Sequence, residues 1–449
     1  MSILTRPARV ALVAGAVSLT LVAAACGGSD NENTTGGQPA SGDCAPFEKY
    51  GKHDGKTVSI YSPIRDAEAD LFEDTWAKFA ECTGIDISYE GTGEFEAQIQ
   101  VRVDGGDAPD LAFFPQPGLL KRFADAGKLK PAPDKVKTAA TEGWTEAWID
   151  YGTVDGTFYA APLGASVKSF VWYSPKMFQE KGYEVPKTWD DLIALSDKIA
   201  ADGVKPWCAG IESGEATGWP ATDWLEDVLL REIGPDEYDK WISHELKFND
   251  PKIAAGLDRV GSILKNDKYV NGGYGPVSSI ASTAFQEGGV PITAGTCALH
   301  RQASFYANFW PDGTKVAEDG DVFAFYLPGD DENSKPVLGA GEFVASFDDR
   351  PEVQALQEYL ATPDFANARM KLSTYVSANK GVDISLAQNP IDRLSMEILR
   401  DPQTVFRFDG SDLMPAAVGS GTFWKGMTDW INGKDTQSTL DFIEQSWPQ

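Results

Sequence analysis

The sequence predicts an α/β protein in which helices cover a parallel β-sheet. Two observations support this fold class. Segments of alternating apolar residues are followed by segments with apolar residues at helical spacing, which is the pattern of successive strand–helix units. In addition, a chain of 449 residues exceeds what one hydrophobic core comfortably accommodates. A second α/β lobe is therefore expected.

The first lobe begins with three strand–helix units in succession. Phe72, Trp76 and Phe79 give the first helix its buried stripe, and Gly84 follows it as a stop signal. The predicted strands are residues 57–61, 85–89 and 110–114, and the predicted helices cover residues 72–80, 95–103 and 117–127.

Later segments continue the alternation. Thr188 opens a capping box before a helix over residues 192–199. Asp250 and Pro251 are the N-cap and first residue of another helix. The tail from residue 351 to 447 reads as mostly helical. Further strands are predicted at residues 158–162, 169–174, 204–209 and 323–327.

The N-terminus carries a secretion signal. Arg6 and Arg9 precede the apolar run 10–25, which is shorter than the roughly 20 residues that span a bilayer. Residues 1–25 are therefore predicted to be a signal peptide, the alternative being an N-terminal anchor helix. Residues 24–26 resemble the lipobox of bacterial lipoproteins, although Ala23 stands where Leu or Val is usual. Cys26 is the expected lipidation site, and residues 27–43 are too polar to pack a core, so they form a tether.

Charge and cysteine content narrow the class of protein. Asp and Glu outnumber Lys and Arg by 67 to 39, and the formal charge of -28 disfavours nucleic-acid binding. Beyond Cys26 four cysteines remain, which allow three pairings and lack the CxxC spacing of zinc sites. Pairing within each lobe predicts the bridges Cys44–Cys82 and Cys208–Cys297.

Catalytic signatures are sparse. The sequence has no GxxxxGK[ST] loop, HExxH pair or GxSxG elbow, and Glu96 interrupts a dinucleotide fingerprint after Gly91. We expect no catalytic residue, no metal site and no cofactor. A secreted glycosidase using paired carboxylates remains the alternative, because the many acidic residues allow such pairs.

Several segments occur in a characteristic order. After the tether come TVSIYS, FEAQI, GGDAPDLAFFPQPG, FYAAPLGASVKSFVWYSP and PKTWDDL, and later ATGWPATDWLEDVLLR, AFQEGGVPITAGTCALHRQASF, VLGAGEFVAS and SGTFWKGMTDW. This series resembles the family 1 extracellular solute-binding lipoproteins of carbohydrate ABC transporters, particularly their alpha-glucoside and maltodextrin branch. The resemblance covers nearly all of residues 56–449.

The resemblance implies a two-lobed periplasmic-binding-protein-like fold with a central ligand cleft and discontinuous lobes. The expected crossings between lobes are residues 161–168, 334–340 and 371–376. The expected first lobe comprises residues 56–165 and 337–372, and the second comprises residues 168–333 and 375–449.

Candidate ligand contacts follow from loops at the ends of strands and from the family pattern. Ligands of open parallel sheets bind at the carboxyl ends of strands, so residues 62–65, 91–94 and 115–117 should face one cleft. Carboxylates, amides and guanidinium groups bind hydroxyls, and aromatic rings cover the apolar faces of sugars. The candidates are Arg65, Glu94, Glu96, Gln116, Trp219, Asp223, His300, Arg301, Gln302, Glu342 and Trp424.

The implied function is that of a lipid-anchored solute-binding protein on the extracytoplasmic face of a bacterial cell membrane. It would capture an oligosaccharide, such as maltose, a maltodextrin or trehalose, by hinge closure. Its partners would be the permease subunits and ATPase of an ABC importer, and the protein itself would be a monomer. A sensor for a membrane kinase is a further alternative, which would bind sugar equally well.

Overall fold

The structure is a computed structural model that describes residues 44–448. The described strands are β1 (Lys56–Ser62), β2 (Ile85–Gly91), β3 (Leu111–Phe114), β4 (Thr153–Val154), β5 (Thr157–Phe158), β6 (Ala160–Pro162), β7 (Ser166–Val167), β8 (Phe170–Tyr173), β9 (Lys205–Trp207), β10 (Cys297–Arg301), β11 (Phe323–Tyr326), β12 (Val337–Ala340), β13 (Phe343–Ser346) and β14 (Phe406–Phe408). The predicted signal peptide, Cys26 and the tether lie outside the described residues.

The described α-helices are α1 (Asp66–Thr83), α2 (Phe95–Gly105), α3 (Pro117–Asp125), α4 (Asp134–Gly143), α5 (Glu146–Tyr151), α6 (Pro175–Lys181), α7 (Trp189–Ala201), α8 (Trp219–Glu232), α9 (Gly234–Ile242), α10 (Pro251–Leu264), α11 (Pro351–Leu360), α12 (Pro363–Met370), α13 (Pro390–Arg400), α14 (Gly410–Leu413), α15 (Trp424–Ile431) and α16 (Thr436–Glu444). Short 3₁₀ or π turns occupy Ala45–Tyr50, Val277–Ser282, Val290–Ile292, Ser304–Phe309, Ile384–Leu386 and Val418–Phe423. Within residues 44–448, none of the helices has the length and apolar content to span a bilayer.

The first sheet has the strand order β2-β1-β3-β13-β6. Strand β1 pairs in parallel with β2 and β3, which confirms the three predicted strand–helix units. Strand β13 runs antiparallel to β3 and β6, so the sheet is mixed. Phe72, Trp76 and Phe79 of α1 are buried, as their spacing predicts. Each such side chain contributes about 1.5–3 kcal/mol of burial free energy.

The second sheet has the order β11-β8-β10-β9 and a core of its own. Strand β10 runs antiparallel to β8 and parallel to β9. The predicted helix signals are confirmed here. The Thr188 side chain accepts from the backbone of Asp191 in a capping box, and Asp250 caps α10.

A small third sheet connects the other two. It has the order β14-β12-β7, with β12 parallel to β14 and antiparallel to β7. Strand β7 follows β6 of the first sheet and precedes β8 of the second, and β12 precedes β13 on the way back. The two-lobed α/β architecture is confirmed. The assignment of residues 375–449 to the second lobe stays a prediction. Val376, Val382 and Met396 lie in that range and pack in the hydrophobic cluster of the first sheet.

Both disulfide predictions are confirmed. Cys44 is bonded to Cys82 near the end of α1, and Cys208 after β9 is bonded to Cys297 at the start of β10. The bridges close loops with sequence separations of 38 and 89 residues. Constraining the unfolded chain in this way contributes on the order of 4 kcal/mol per bridge.

Candidate ligand-binding cleft

Two adjoining cavities open in one cleft between loops of the first and second sheets. The inner chamber has a volume of about 200 Å³, and the outer chamber has a volume of about 580 Å³. The loops after β1, β2 and β3 all contribute to the inner chamber, through Arg65, Gly93 and Gln116 among others. These three loops follow the carboxyl ends of parallel strands, where ligands of open parallel sheets bind, and they meet in one cleft as predicted.

The wall contributed by the first sheet is polar. Gln116 Nε2 donates to Glu96 Oε1 at 3.0 Å, and no residue from 44 to 448 partners the buried Gln116 Oε1. Burial raises the pKa of Glu96, although hydrogen bonds from its own backbone and from Gln116 oppose the shift. Arg65 lies against Gly93, where a Cβ atom would stand 1.8 Å from the Arg65 guanidinium, so Gly93 leaves space for that side chain. This wall therefore offers an unsatisfied acceptor and a cation.

Glu342 sits on the short link between β12 and β13, beside Glu68 of α1. Burial, together with the negative charge of Glu68, raises the pKa of Glu342 to about 7. Burial also raises the pKa of Glu68. Gly164 permits the close approach of Glu342, because a Cβ atom there would stand 3.0 Å from Glu342 Oε2. The Glu342 carboxyl can therefore both donate and accept hydrogen bonds near neutral pH.

The wall contributed by the second sheet is aromatic. Trp219, at the start of α8, lies with its ring centroid 5.1 Å from that of Phe285 and 6.1 Å from that of Phe305. Phe285 in turn lies 5.4 Å from Phe309. All four rings line the inner chamber and stay partly exposed. Such a continuous aromatic surface suits a ligand with an apolar face.

A buried ion pair forms part of the chamber floor. Lys168, between β7 and β8, donates to Asp223 Oδ1 at 2.9 Å and to Asp409, and its Nζ lies 5.2 Å from the Trp219 ring centroid. Burial acts to lower the pKa of Lys168, but Asp223 and Asp409 outweigh it and raise the pKa. Burial acts to raise the pKa of Asp409, but Lys168 lowers it well below its usual range. The pair is therefore charged on both sides.

Asp412 and Trp424 complete this floor. Burial, reinforced by the charge of Asp409, raises the pKa of Asp412 well above its ordinary value. Trp424 is buried, and its indole Nε1 donates to Ser411 Oγ at 3.4 Å. Both residues line the inner chamber.

The structure brings six of the eleven predicted residues into the inner chamber and leaves five outside its lining. Those inside are Arg65, Glu96, Gln116, Trp219, Glu342 and Trp424; those outside are Glu94, Asp223, His300, Arg301 and Gln302. Ligand contact by the first six stays a prediction.

Arg301 and Asp223 form a buried ion pair inside the second lobe. Arg301 Nη1 donates to Asp223 Oδ2 at 3.2 Å, and Nη2 donates to Asp227 Oδ2 at 3.0 Å. Burial raises the pKa of Asp223 to about 6, even though Lys168 acts to lower it. Arg301 ends β10, which runs between β8 and β9, and its side chain meets Asp227 of α8 rather than the cleft.

The remaining three predicted residues, His300, Gln302 and Glu94, do not line the inner chamber and have partners outside it. His300 Nδ1 donates to the Cys208 carbonyl at 2.9 Å, and burial lowers the pKa of His300 to about 4. Gln302 Oε1 accepts from the backbone of Ala303 at 2.8 Å. Glu94 faces the loop at Gly214, where a Cβ atom would stand 3.0 Å from Glu94 Oε1.

Sequence reasoning missed several chamber residues. Lys168 and Asp409 form the floor, and Phe285, Phe305 and Phe309 form most of the aromatic wall. The aromatic run from Phe305 to Trp310 was a usable signal for that wall. Within residues 44–448, no group of His, Cys, Asp and Glu side chains is arranged to hold a metal ion.

Comparisons with known proteins agree with this architecture. The family model of the bacterial extracellular solute-binding protein matches residues 62–366. The osmoprotective compounds-binding protein GgtB of Synechocystis sp. is 43% identical over 89% of this chain and 94% of its own length. The alpha-glucosides-binding periplasmic protein AglE of Rhizobium meliloti is 40% identical over 90% of each chain.

Solved structures support the fold. The bacterial solute receptor AcbH, which prefers b-D-galactopyranose, superposes with a TM-score of 0.72 at 21% identity, covering 87% of this chain and 97% of its own. A chitin oligosaccharide binding protein gives the same TM-score at 18% identity, covering 88% and 98% of the two chains.

These matches decide between the function classes left open by the sequence. The matched family and the two curated relatives are binding proteins, which confirms that the chain is not an enzyme and sets aside the glycosidase alternative. Its location is extracytoplasmic, as the family description states. The chain belongs to the family of bacterial extracellular solute-binding proteins.

Proposed function

We propose that the protein captures an alpha-glucoside outside the cell and delivers it to an ABC importer. The observation that carries the proposal is the pair of unlike walls in the inner chamber, with aromatic rings on one side and amide, carboxyl and guanidinium groups on the other. The ligand class is taken from AglE, whose name states alpha-glucosides. GgtB, the other similar relative, is named for osmoprotective compounds.

The two walls match the two surfaces of a hexose. Its C–H faces are apolar and gain free energy when they cover Trp219 or a neighbouring Phe ring. Its hydroxyls accept from Arg65 and donate to the free Oε1 of Gln116. Each good neutral hydrogen bond contributes about 1 kcal/mol net, so several bonds and one or two stacked rings reach the ~8 kcal/mol of a micromolar Kd.

Hinge closure is the proposed capture step. The two walls belong to different lobes, so a ligand that touches both is held best when the lobes approach each other. The connecting strands β7, β12 and β14 are short, and β7 and β12 pass between the sheets. Ligand binding would then stabilise the closed state by its extra contacts there.

The proposed setting is the outer face of a bacterial membrane. Cys26 would carry the lipid after cleavage of residues 1–25, and residues 27–43 would act as a tether. The partners would be permease subunits with an ATPase. The protein would act as a monomer.

Titration calorimetry of the purified protein with methyl α-D-glucoside, trehalose, maltose and maltotriose tests the proposal. We expect saturable heat with a Kd on the order of 1 µM for at least one of these sugars. Lactose, a β-galactoside, is the matched control and should give no saturable heat. A flat response to every alpha-glucoside would refute the proposed ligand class.

A further inference from the structure

The solvent exposure of the side chains that line the cleft increases from its floor to its mouth. Lys168, Asp409 and Trp424 at the floor are 5%, 1% and 2% exposed. Ala67 and Glu287, which line only the outer chamber, are exposed. The inner chamber therefore ends against buried side chains, whereas the outer chamber opens to solvent.

The two chambers are continuous with each other. They share a set of lining residues from both lobes, namely Arg65, Asp66, Glu68, Gln286, Asn308 and Phe309. Phe309 is also the outermost ring of the aromatic wall, which leads from Trp219 through Phe285. A ligand that stacks on Trp219 can thus continue along the wall into the outer chamber.

The volumes restrict what each chamber holds. The inner chamber, at about 200 Å³, is smaller than the ~300–1,000 Å³ of sites for drug-sized ligands, so it suits a single sugar ring. The outer chamber, at about 580 Å³, leaves room for a second unit of variable size. The carboxylates of Asp66, Glu212 and Glu287 around it disfavour an anionic unit.

We propose that the protein binds its ligand end-on. One terminal ring fills the inner chamber, and whatever is attached to that ring extends into the outer chamber. This inference rests on the proposed function and deepens it. The ligand class becomes uncharged or cationic glycosides that share one terminal ring and differ in the rest. Saccharides without an end are excluded.

A pair of alanine-to-tryptophan variants on α1 tests the inference. Ala67 is exposed and lines only the outer chamber, so Ala67→Trp should fill that chamber and weaken maltose binding at least tenfold. Methyl α-D-glucoside, which needs only the inner chamber, should keep its affinity within twofold. Ala77 is an exposed residue of the same helix outside both chambers, and Ala77→Trp is the control that should change neither affinity. Thermal melting confirms that both variants fold.

A second measurement uses the wild-type protein and α-cyclodextrin, a closed ring of glucose units. We expect its affinity to be more than a hundredfold below that of maltose. The inference is overturned if α-cyclodextrin binds within a hundredfold of maltose, if wild-type protein binds maltose but not methyl α-D-glucoside, or if Ala67→Trp lacks the selective loss for maltose. A wild-type protein that binds no glycoside at all instead overturns the proposed function, so the two failures are distinguishable.

Discussion

The two walls of the cleft differ in how they are built. Polar side chains of the first wall come from loops at the ends of parallel strands, where Arg65 pairs with the exposed Asp66 and Gln116 keeps its Oε1 without a partner among residues 44–448. Polar side chains of the second lobe, such as Arg301 and Asp223, are paired with each other inside the lobe, and aromatic rings face the cleft instead. Polar residues near a cleft therefore become available to a ligand only when the lobe does not already use them.

Replacing Arg301 tests this contrast with the largest expected effect. Arg301→Ala leaves Asp223 and Asp227 buried with one cation fewer, and breaking a buried ion pair costs about 3–5 kcal/mol. Urea denaturation measures the change in the free energy of unfolding. Lys425→Ala, which breaks the exposed pair with Asp429, is the control and should cost less than about 1 kcal/mol. If the Arg301→Ala protein has normal stability but has lost ligand binding, Arg301 contacts the ligand and its structural role is wrong.

Removing Trp219 from the aromatic wall should produce the next largest effect. Trp219→Ala deletes the ring that contacts both Phe285 and Phe305, and we expect about 2 kcal/mol of lost binding, or close to thirtyfold in Kd. Calorimetry with the tightest alpha-glucoside measures it. Trp447→Ala removes a ring that stacks on His244, away from the cleft, and should leave the Kd unchanged. Equal Kd values for both variants would contradict a stacking role for the second wall.

A smaller effect is expected on the polar wall. Gln116→Ala removes one amide whose Oε1 is free for the ligand, and we expect a loss of about 1 kcal/mol, or roughly fivefold in Kd. The exposed Gln98→Ala variant is the matched control. If Gln116→Ala weakens binding more than Trp219→Ala, the polar wall dominates and our ranking of the two walls is wrong.

The pH dependence of stability tests the polar wall through a different measurement. The pKa of Glu342 is raised from 4.5 to about 7 in the folded protein, so the folded state holds this proton more tightly than the unfolded state does. Its contribution to stability is therefore complete below about pH 4.5 and lost as the pH rises through about 7.

The matched variant isolates this contribution. Between pH 4.5 and 7 the wild type should lose stability relative to Glu342→Gln, which cannot ionise. Urea denaturation at several pH values measures the difference, and the exposed Glu48→Gln variant should track the wild type. A stability difference that stays constant with pH would show that Glu342 titrates normally.

Sequence reasoning recovered the first wall better than the second for a physical reason. Alternating apolar residues and apolar stripes at helical spacing predict parallel strand–helix units. Ligands of such sheets bind at the carboxyl ends of the strands, which gives a rule for predicting contacts. That rule located Arg65 and Gln116. In the mixed second sheet, β10 is antiparallel to one neighbour and parallel to the other, and its direction cannot be read from local pattern. His300, Arg301 and Gln302 were predicted as contacts because they are polar residues at the end of an apolar strand, and that pattern does not show which way they face.

Long-range partners were the other missing information. Lys168 lies 55 positions from Asp223 and 241 positions from Asp409 in the sequence, yet contacts both. Nothing local to Lys168 identifies these partners. The disulfides were predictable because cysteines pair only with each other, which left three possibilities for lobe organisation to decide.

The small sheet of β14, β12 and β7 constrains how the molecule can move. Because these strands are hydrogen-bonded side by side, no single connection can twist without carrying its neighbours along. Bending across such a ribbon is soft, whereas shearing within its plane would break backbone pairs. We therefore expect the proposed hinge closure to follow this single bending direction, which would return the aromatic and polar surfaces to the same alignment at each closure.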